Sequence, residues 1–166
     1  GCERGNRHNC QSSEENIMIK SFRGQIASGD SIKIRLHTNN GLTGYIVKDF
    51  RIMGANPTVN EDEAVVKLFS VQPVDATGVP TADALVDLSS PTLLAVGLYT
   101  GGATTRSYPI NEIVIFESTK INQDVYLTSV ETVTGNPVNY YIELEQIKLD
   151  TTEATVATLK DMRGRE

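Results

Sequence analysis

The sequence predicts an all-β fold, an antiparallel β-sandwich open to a jelly-roll arrangement, with a short C-terminal helix. Three observations carry that prediction. Short runs such as Ser31–His37 and Val138–Asp150 alternate apolar and polar residues, the period of a strand with one face in a core and the other in water. Gly, Asn, Ser and Pro turns separate about eight such runs at short spacing. No long helical pattern alternates with them, which argues against a parallel α/β sheet.

At 166 residues the chain has the length of one domain and can bury a single sizeable core. It divides into a polar N-terminal tail over 1–17, a β-sandwich domain over 18–150 and an amphipathic helix over 151–166. The tail has almost no apolar side chain and could not offset the entropy of its own ordering. Gly1 reads as a tag remnant and Met18 as a candidate natural start; an ordered tail would have to lie against another surface, such as a neighbouring subunit. Cys2, His8 and Cys10 all fall in this tail. They are two ligands short of a zinc pattern on cysteine alone, so loose thiols or a small disulfide loop are the expectation, with no cofactor.

Strand character begins at Ile17–Ile26, where Gly24 suggests a bulge or a close backbone approach. A Ser-Gly-Asp turn leads into Ser31–His37, with Ile32, Ile34 and Leu36 on one face and Lys33 and Arg35 on the other; the two runs read as a hairpin. His37 closes the polar face as a solvated or turn-bound histidine. After the Thr38–Gly41 turn, Leu42–Met53 is the next strand, with Ile46, Phe50 and Ile52 expected on one side and Asp49 and Arg51 on the other. Glu61, Asp62 and Glu63 form an acidic cluster, but they lack the alternating register of a calcium loop. Ala64–Val71 is apolar on both faces, which predicts a central position in its sheet.

Asp83–Asp87 is a short strand candidate, and Ser89-Ser90-Pro91 reads as the start of a helical or 3₁₀ turn. Ala95–Thr100, Pro109–Glu117, Asp124–Glu131 and Val138–Leu149 complete the set, with Thr100–Ser107 as a loop tip. Asp150-Thr151-Thr152-Glu153 is a capping-box pattern. Beyond it Val156, Leu159, Lys160 and Arg163 share a helix side, which must pack on the sandwich or mediate assembly. The apolar phase of the last strand slips near Gln146, placing Ile147 and Leu149 on the face of Glu143 and Glu145. That slip predicts a bulge there or a second surface over that face.

Composition narrows function. A net charge of −6 and a pI near 5.0 argue against nucleic acid as the partner. No apolar run reaches the ~18 residues that cross a bilayer, so a soluble chain with no membrane partner is expected. With only His8 and His37, and no G-x-S-x-G elbow, nothing assembles a nucleophile with a base. Glu143 and Glu145 stand ~7 Å apart along one strand face, which fits a solvated surface better than a glycosidase pair. The expectation is therefore a non-enzyme with no metal or cofactor. Trp is absent and aromatics are 6%; Tyr99, Tyr108, Tyr140 and Tyr141 are the aromatics left for a glycan, although strand tyrosines more often pack. The candidate ligand-binding residues are Tyr99, Arg106 and Tyr108, flanking the loop tip. Ile147, Leu149, Val156 and Leu159 are the candidate subunit contacts.

Four stretches, Ile19–Gly24 (IKSFRG), Asn122–Thr128 (NQDVYLT), Asn139–Glu145 (NYYIELE) and Thr152–Arg163 (TEATVATLKDMR), carry a family likeness. From Ile19 to Arg163 the chain resembles a group of uncharacterised proteins found in marine viruses and environmental samples. The resemblance implies phage origin and a small virion component, such as a decoration, minor capsid or tail-associated protein, located in the virion and working as a homo-oligomer or with other virion proteins. A carbohydrate- or receptor-binding sandwich and a carboxylate-based glycan-active enzyme are the readings from other classes.

Overall fold

The computed structural model describes residues 17–37, 42–58, 61–101 and 110–163. Among these residues eight strands precede one helix: β1 (Met18–Ile26), β2 (Ser31–Ile34), β3 (Thr43–Gly54), β4 (Glu63–Phe69), β5 (Leu93–Thr100), β6 (Ile110–Ile115), β7 (Val125–Glu131), β8 (Val138–Lys148) and α1 (Thr151–Arg163). All named strand pairs are antiparallel. They form two sheets, one ordered β1-β8-β3 and the other β2-β7-β4-β5-β6. The fold is the antiparallel all-β sandwich with a short C-terminal helix that the alternation predicted. Among the described residues no helix is long and apolar enough to cross a membrane.

The pairings are nested. β1 lies beside β8, β2 beside β7 and β4 beside β5, so successive strands at the start of the chain belong to opposite sheets. This overturns the expected β1–β2 hairpin. The Ser28-Gly29-Asp30 turn is instead a corner between sheets, and β7 holds it: Gly29 N–H donates to Ser129 O at 2.7 Å, and Glu131 N–H to Ser28 Oγ at 2.9 Å. Gly29, at φ 85°, supplies the left-handed backbone the corner needs.

Facing residues of the two sheets make one core, including Ile26, Tyr45, Val47, Phe50, Ile52, Val66, Leu68, Leu127, Ile142 and Leu144. β4 is central, between β7 and β5, as its two apolar faces required. In β3 the inward set is Tyr45, Val47, Phe50 and Ile52; Ile46 is only half-buried. The register of β3 against β8 shifts between Val47 and Asp49, so a bulge re-phases β3 and turns Ile46 away from Phe50. The bulge expected at Gln146 is absent: Gln146 pairs in register with Met18 and Tyr45, and the break on β3 lies opposite Leu144 and Glu143.

Residues 83–87 are not a strand, and Ser89–Pro91 starts no helix. They belong to a long connection from β4 to β5 that lies over the outer face of the larger sheet. Asp75 and Asp87 fold it locally by accepting N–H and hydroxyl groups two residues on, from Thr77 and Ser89. Lys67, on the outer face of β4 and only 6% exposed, ties it down by donating to Asp83 Oδ1 at 2.8 Å and Leu85 O at 2.5 Å.

α1 begins as the capping pattern predicts, with Asp150 Oδ1 accepting the Glu153 N–H at 2.7 Å. The Glu153 carboxylate pairs with Lys120. Asn122 Nδ2 donates to Thr158 Oγ1 at 3.2 Å, and Ala157 is buried. The helix therefore docks on the β6–β7 connection by small and polar groups, leaving Val156 and Leu159 exposed.

Candidate functional site

Strand alternation in β2 and its extension sends Ile34 and Leu36 into the core and leaves Lys33, Arg35 and His37 exposed. β2 pairs with β7 so that Lys33 is opposite Tyr126. Residues directly opposite share a face, which sets the ammonium 6.0 Å from the centre of the tyrosine ring. The chain leading into β7 completes the wall. Ile121 is buried and bridges to Tyr45 through backbone bonds of 2.7 and 2.9 Å, and this fixes Asn122, Gln123 and Asp124 beside the end of β2.

Together Lys33, Arg35, His37, Asn122, Gln123, Asp124 and Tyr126 line an open cleft of about 510 Å³. Asp124 organises it. Its Oδ1 accepts the Leu36 N–H at 2.8 Å, carrying the ladder past the last β2 pair, and its Oδ2 stands 3.4 Å from Lys33 Nζ. Among the described residues the Arg35 guanidinium has no hydrogen-bond or ion-pair partner. His37 has φ 51°, the one non-glycine residue in the left-handed region among those described. Left-handed backbone costs an L-residue about 1–2 kcal/mol, and such strain concentrates where a side chain has to be aimed. Chemically the cleft offers a free guanidinium, a half-neutralised ammonium, an imidazole, amides, a carboxylate and an aromatic face.

The residues expected to bind ligand are not gathered here. Tyr99 is 2% exposed, its ring in the core beside Gly54. Burial, and then the negative charge of Asp62, push its phenol up from the ordinary value. Its position on the inward face of β5 removes it from any surface site; Arg106 and Tyr108 lie outside the described residues. Of the expected subunit contacts, Val156 and Leu159 are exposed and Ile147 is half-buried. Leu149 is a core contact instead, 5% exposed and packed on Gly44.

The acidic run 61–63 splits by strand alternation, with Asp62 buried and its two neighbours exposed. Among the described residues no group of three His, Cys, Asp or Glu side chains could hold a metal ion. Asp62 joins Glu131 through Thr134, whose hydroxyl lies 2.9 Å from Asp62 Oδ1 and 2.8 Å from Glu131 Oε2. Glu131 is a loop organiser. It accepts the N–H groups of Glu63, Val133 and Thr134 at 2.7–2.9 Å, and also that of Gly135. Burial pushes its carboxyl up, but these donors outweigh burial and hold it down at about 2.

On the outer face of β8, Glu143 accepts the Tyr141 hydroxyl at 2.6 Å and Glu145 pairs with Lys48 at 3.2 Å. Both carboxylates are thus engaged by neighbours on that face. A scan against models of known protein families finds no match, and a search of curated proteins finds none.

Proposed function

We propose that this protein is a non-enzymatic structural component of a phage particle, and that it works by associating with further copies of itself along β1. The nested pairing of β1 with β8, β2 with β7 and β4 with β5 is that of a double strand rolled into two sheets. This jelly-roll arrangement is one that viral capsid domains use. Fold alone does not select a function; the edge of the smaller sheet supplies the specific support.

That observation is β1 itself. It is nine residues long, lies at the edge of its sheet and keeps unbroken register with β8. Sheets ordinarily blunt their edges by shortness, bulges or cover. β2 is short, with four residues, and β3 is bulged. At β6, Asn111 Nδ2 donates to Ile52 O across the gap between sheets. Among the described residues β1 has none of these protections, and Ile17, Met18 and Ile19 are exposed at its start. A second β1 laid antiparallel about Phe22 sets Lys20 opposite Gly24, Ser21 opposite Arg23 and Ile19 opposite Gln25. No like charges face each other in that register.

Light scattering behind gel filtration tests this. The expected result is a closed oligomer that Ile19→Lys, which adds a charge at an exposed edge position, converts to monomer with its fold intact. A strict monomer across the concentration range overturns the proposal.

A further inference from the structure

The cleft lined by β2, its extension and the start of β7 has a use that assembly along β1 does not require. We infer that it is a binding site for an acidic saccharide, one carrying carboxylate or sulfate groups. The site and the β1 edge are made of different residues, so this inference stands apart from the assembly reading.

Charge is the first argument. On a chain of net charge −6, Lys33, Arg35 and His37 project side by side, and among the described residues Asp124 is the one carboxylate that lines the same cleft. Asp124 is partly engaged by the Leu36 N–H and Lys33. Among the described residues nothing engages the donors of Arg35, and a guanidinium fork matches the paired oxygens of a carboxylate or sulfate.

The second argument is the rest of the lining. Tyr126 is half-buried, fixed by its register opposite Lys33, and offers a ring against which the C–H face of a sugar can lie. Gln123 and the outer lone pairs of Asp124 supply hydrogen bonds for hydroxyl groups. A bare anion would use Arg35 and leave the ring and amide idle; an apolar ligand would strand the charged groups. The volume of about 510 Å³ falls within the size of small-molecule clefts. Nucleic acid would need a broader basic surface than this cleft has.

The backbone is the third argument. His37 holds a left-handed conformation that glycine would adopt without cost, and it lines the cleft together with Arg35.

Calorimetric titration of the full chain decides the matter, using a trigalacturonate, a sulfated disaccharide, the neutral trigalactoside and sodium sulfate as probes. One or both acidic sugars should bind, the neutral sugar at least roughly tenfold more weakly, as expected when a charged hydrogen-bond partner is lost. Arg35→Ala and Tyr126→Ala should each weaken that binding several-fold, with the thermal midpoint unchanged within error for the exposed Arg35. Equal affinity for sulfate alone, or binding of an acidic sugar that Arg35→Ala leaves intact, overturns the assignment; so does failure of both acidic sugars to bind.

Discussion

The ammonium of Lys67 lies 2.8 Å from Asp83 Oδ1, joining the central strand β4 to the connection that covers it. The two ends of this pair are unequal. The lysine side chain is 7% exposed and the aspartate 59%. Removing the aspartate leaves a buried cation with Leu85 O as its remaining hydrogen-bond partner, whereas removing the lysine leaves a carboxylate that water solvates. Asp83→Ala should therefore destabilise the fold by about 1–3 kcal/mol, and Lys67→Met, of similar volume, by about 1 kcal/mol or less. Urea unfolding of both variants checks the order; a larger loss for Lys67→Met would refute it.

Glu131 makes the stability depend on acid. Its folded carboxyl is held at about 2 against an ordinary 4.5. A depressed carboxyl contributes stability that is fully present above the unfolded value and is lost as pH falls through the folded one. The shift corresponds to about 3 kcal/mol. Glu131→Gln should trail the unsubstituted protein by about that amount at pH 7, and the gap should close as the pH is lowered from 4.5 towards 2. Chemical denaturation at a series of pH values measures it, and a gap independent of pH would show that charge has no part.

Gly29 and Gly54 are glycines for different reasons, and substitution separates them. Gly29 has φ 85° with open space around it, since a Cβ there would meet nothing within 4 Å. Gly54 has ordinary φ, but a Cβ there would meet Asp62 Oδ2 at 2.7 Å and Tyr99 Cε1 at 2.8 Å. Asparagine tolerates left-handed backbone, so Gly29→Asn should cost under about 1 kcal/mol. Gly54→Ala forces apart two buried side chains and should cost about 1–3 kcal/mol. Thermal melts of the pair suffice, and equal losses would contradict the distinction.

Such contrasts separate what neighbouring residues disclose from what only distant ones decide. The alternation of Ile32, Ile34 and Leu36 against Lys33 and Arg35 is legible because each face of a strand repeats locally. The central place of β4 follows from its two apolar faces. The Ser28-Gly29-Asp30 corner is not legible: a hairpin and a sheet-to-sheet corner use the same turn chemistry, and only distant β7 and β8 decide between them. The side taken by Ile46 is hidden because one bulge between Val47 and Asp49 reverses the phase of β3. The cleft is hidden because Tyr126 meets Lys33 through pairing of strands far apart in sequence. Local signal exists only in three polar side chains, Lys33, Arg35 and His37, spaced two apart.

His37 gives the most direct test of whether that cleft is built for a ligand. At φ 51° the residue occupies backbone that costs an L-residue about 1–2 kcal/mol. Glycine escapes that cost but adds freedom to the unfolded chain, which offsets roughly 0.5–1 kcal/mol. The His37→Gly variant should therefore gain a few tenths to about 1 kcal/mol in urea unfolding. A histidine retained only for structure would show the reverse, because its exposed ring would have to make some stabilising contact to offset the strain. If the strain serves to aim the imidazole into the cleft, the same variant should bind the acidic sugar several-fold more weakly while unfolding at higher urea. Stability and affinity moving in opposite directions is the expected signature, and a loss of stability in His37→Gly would count against a binding role for the strained residue.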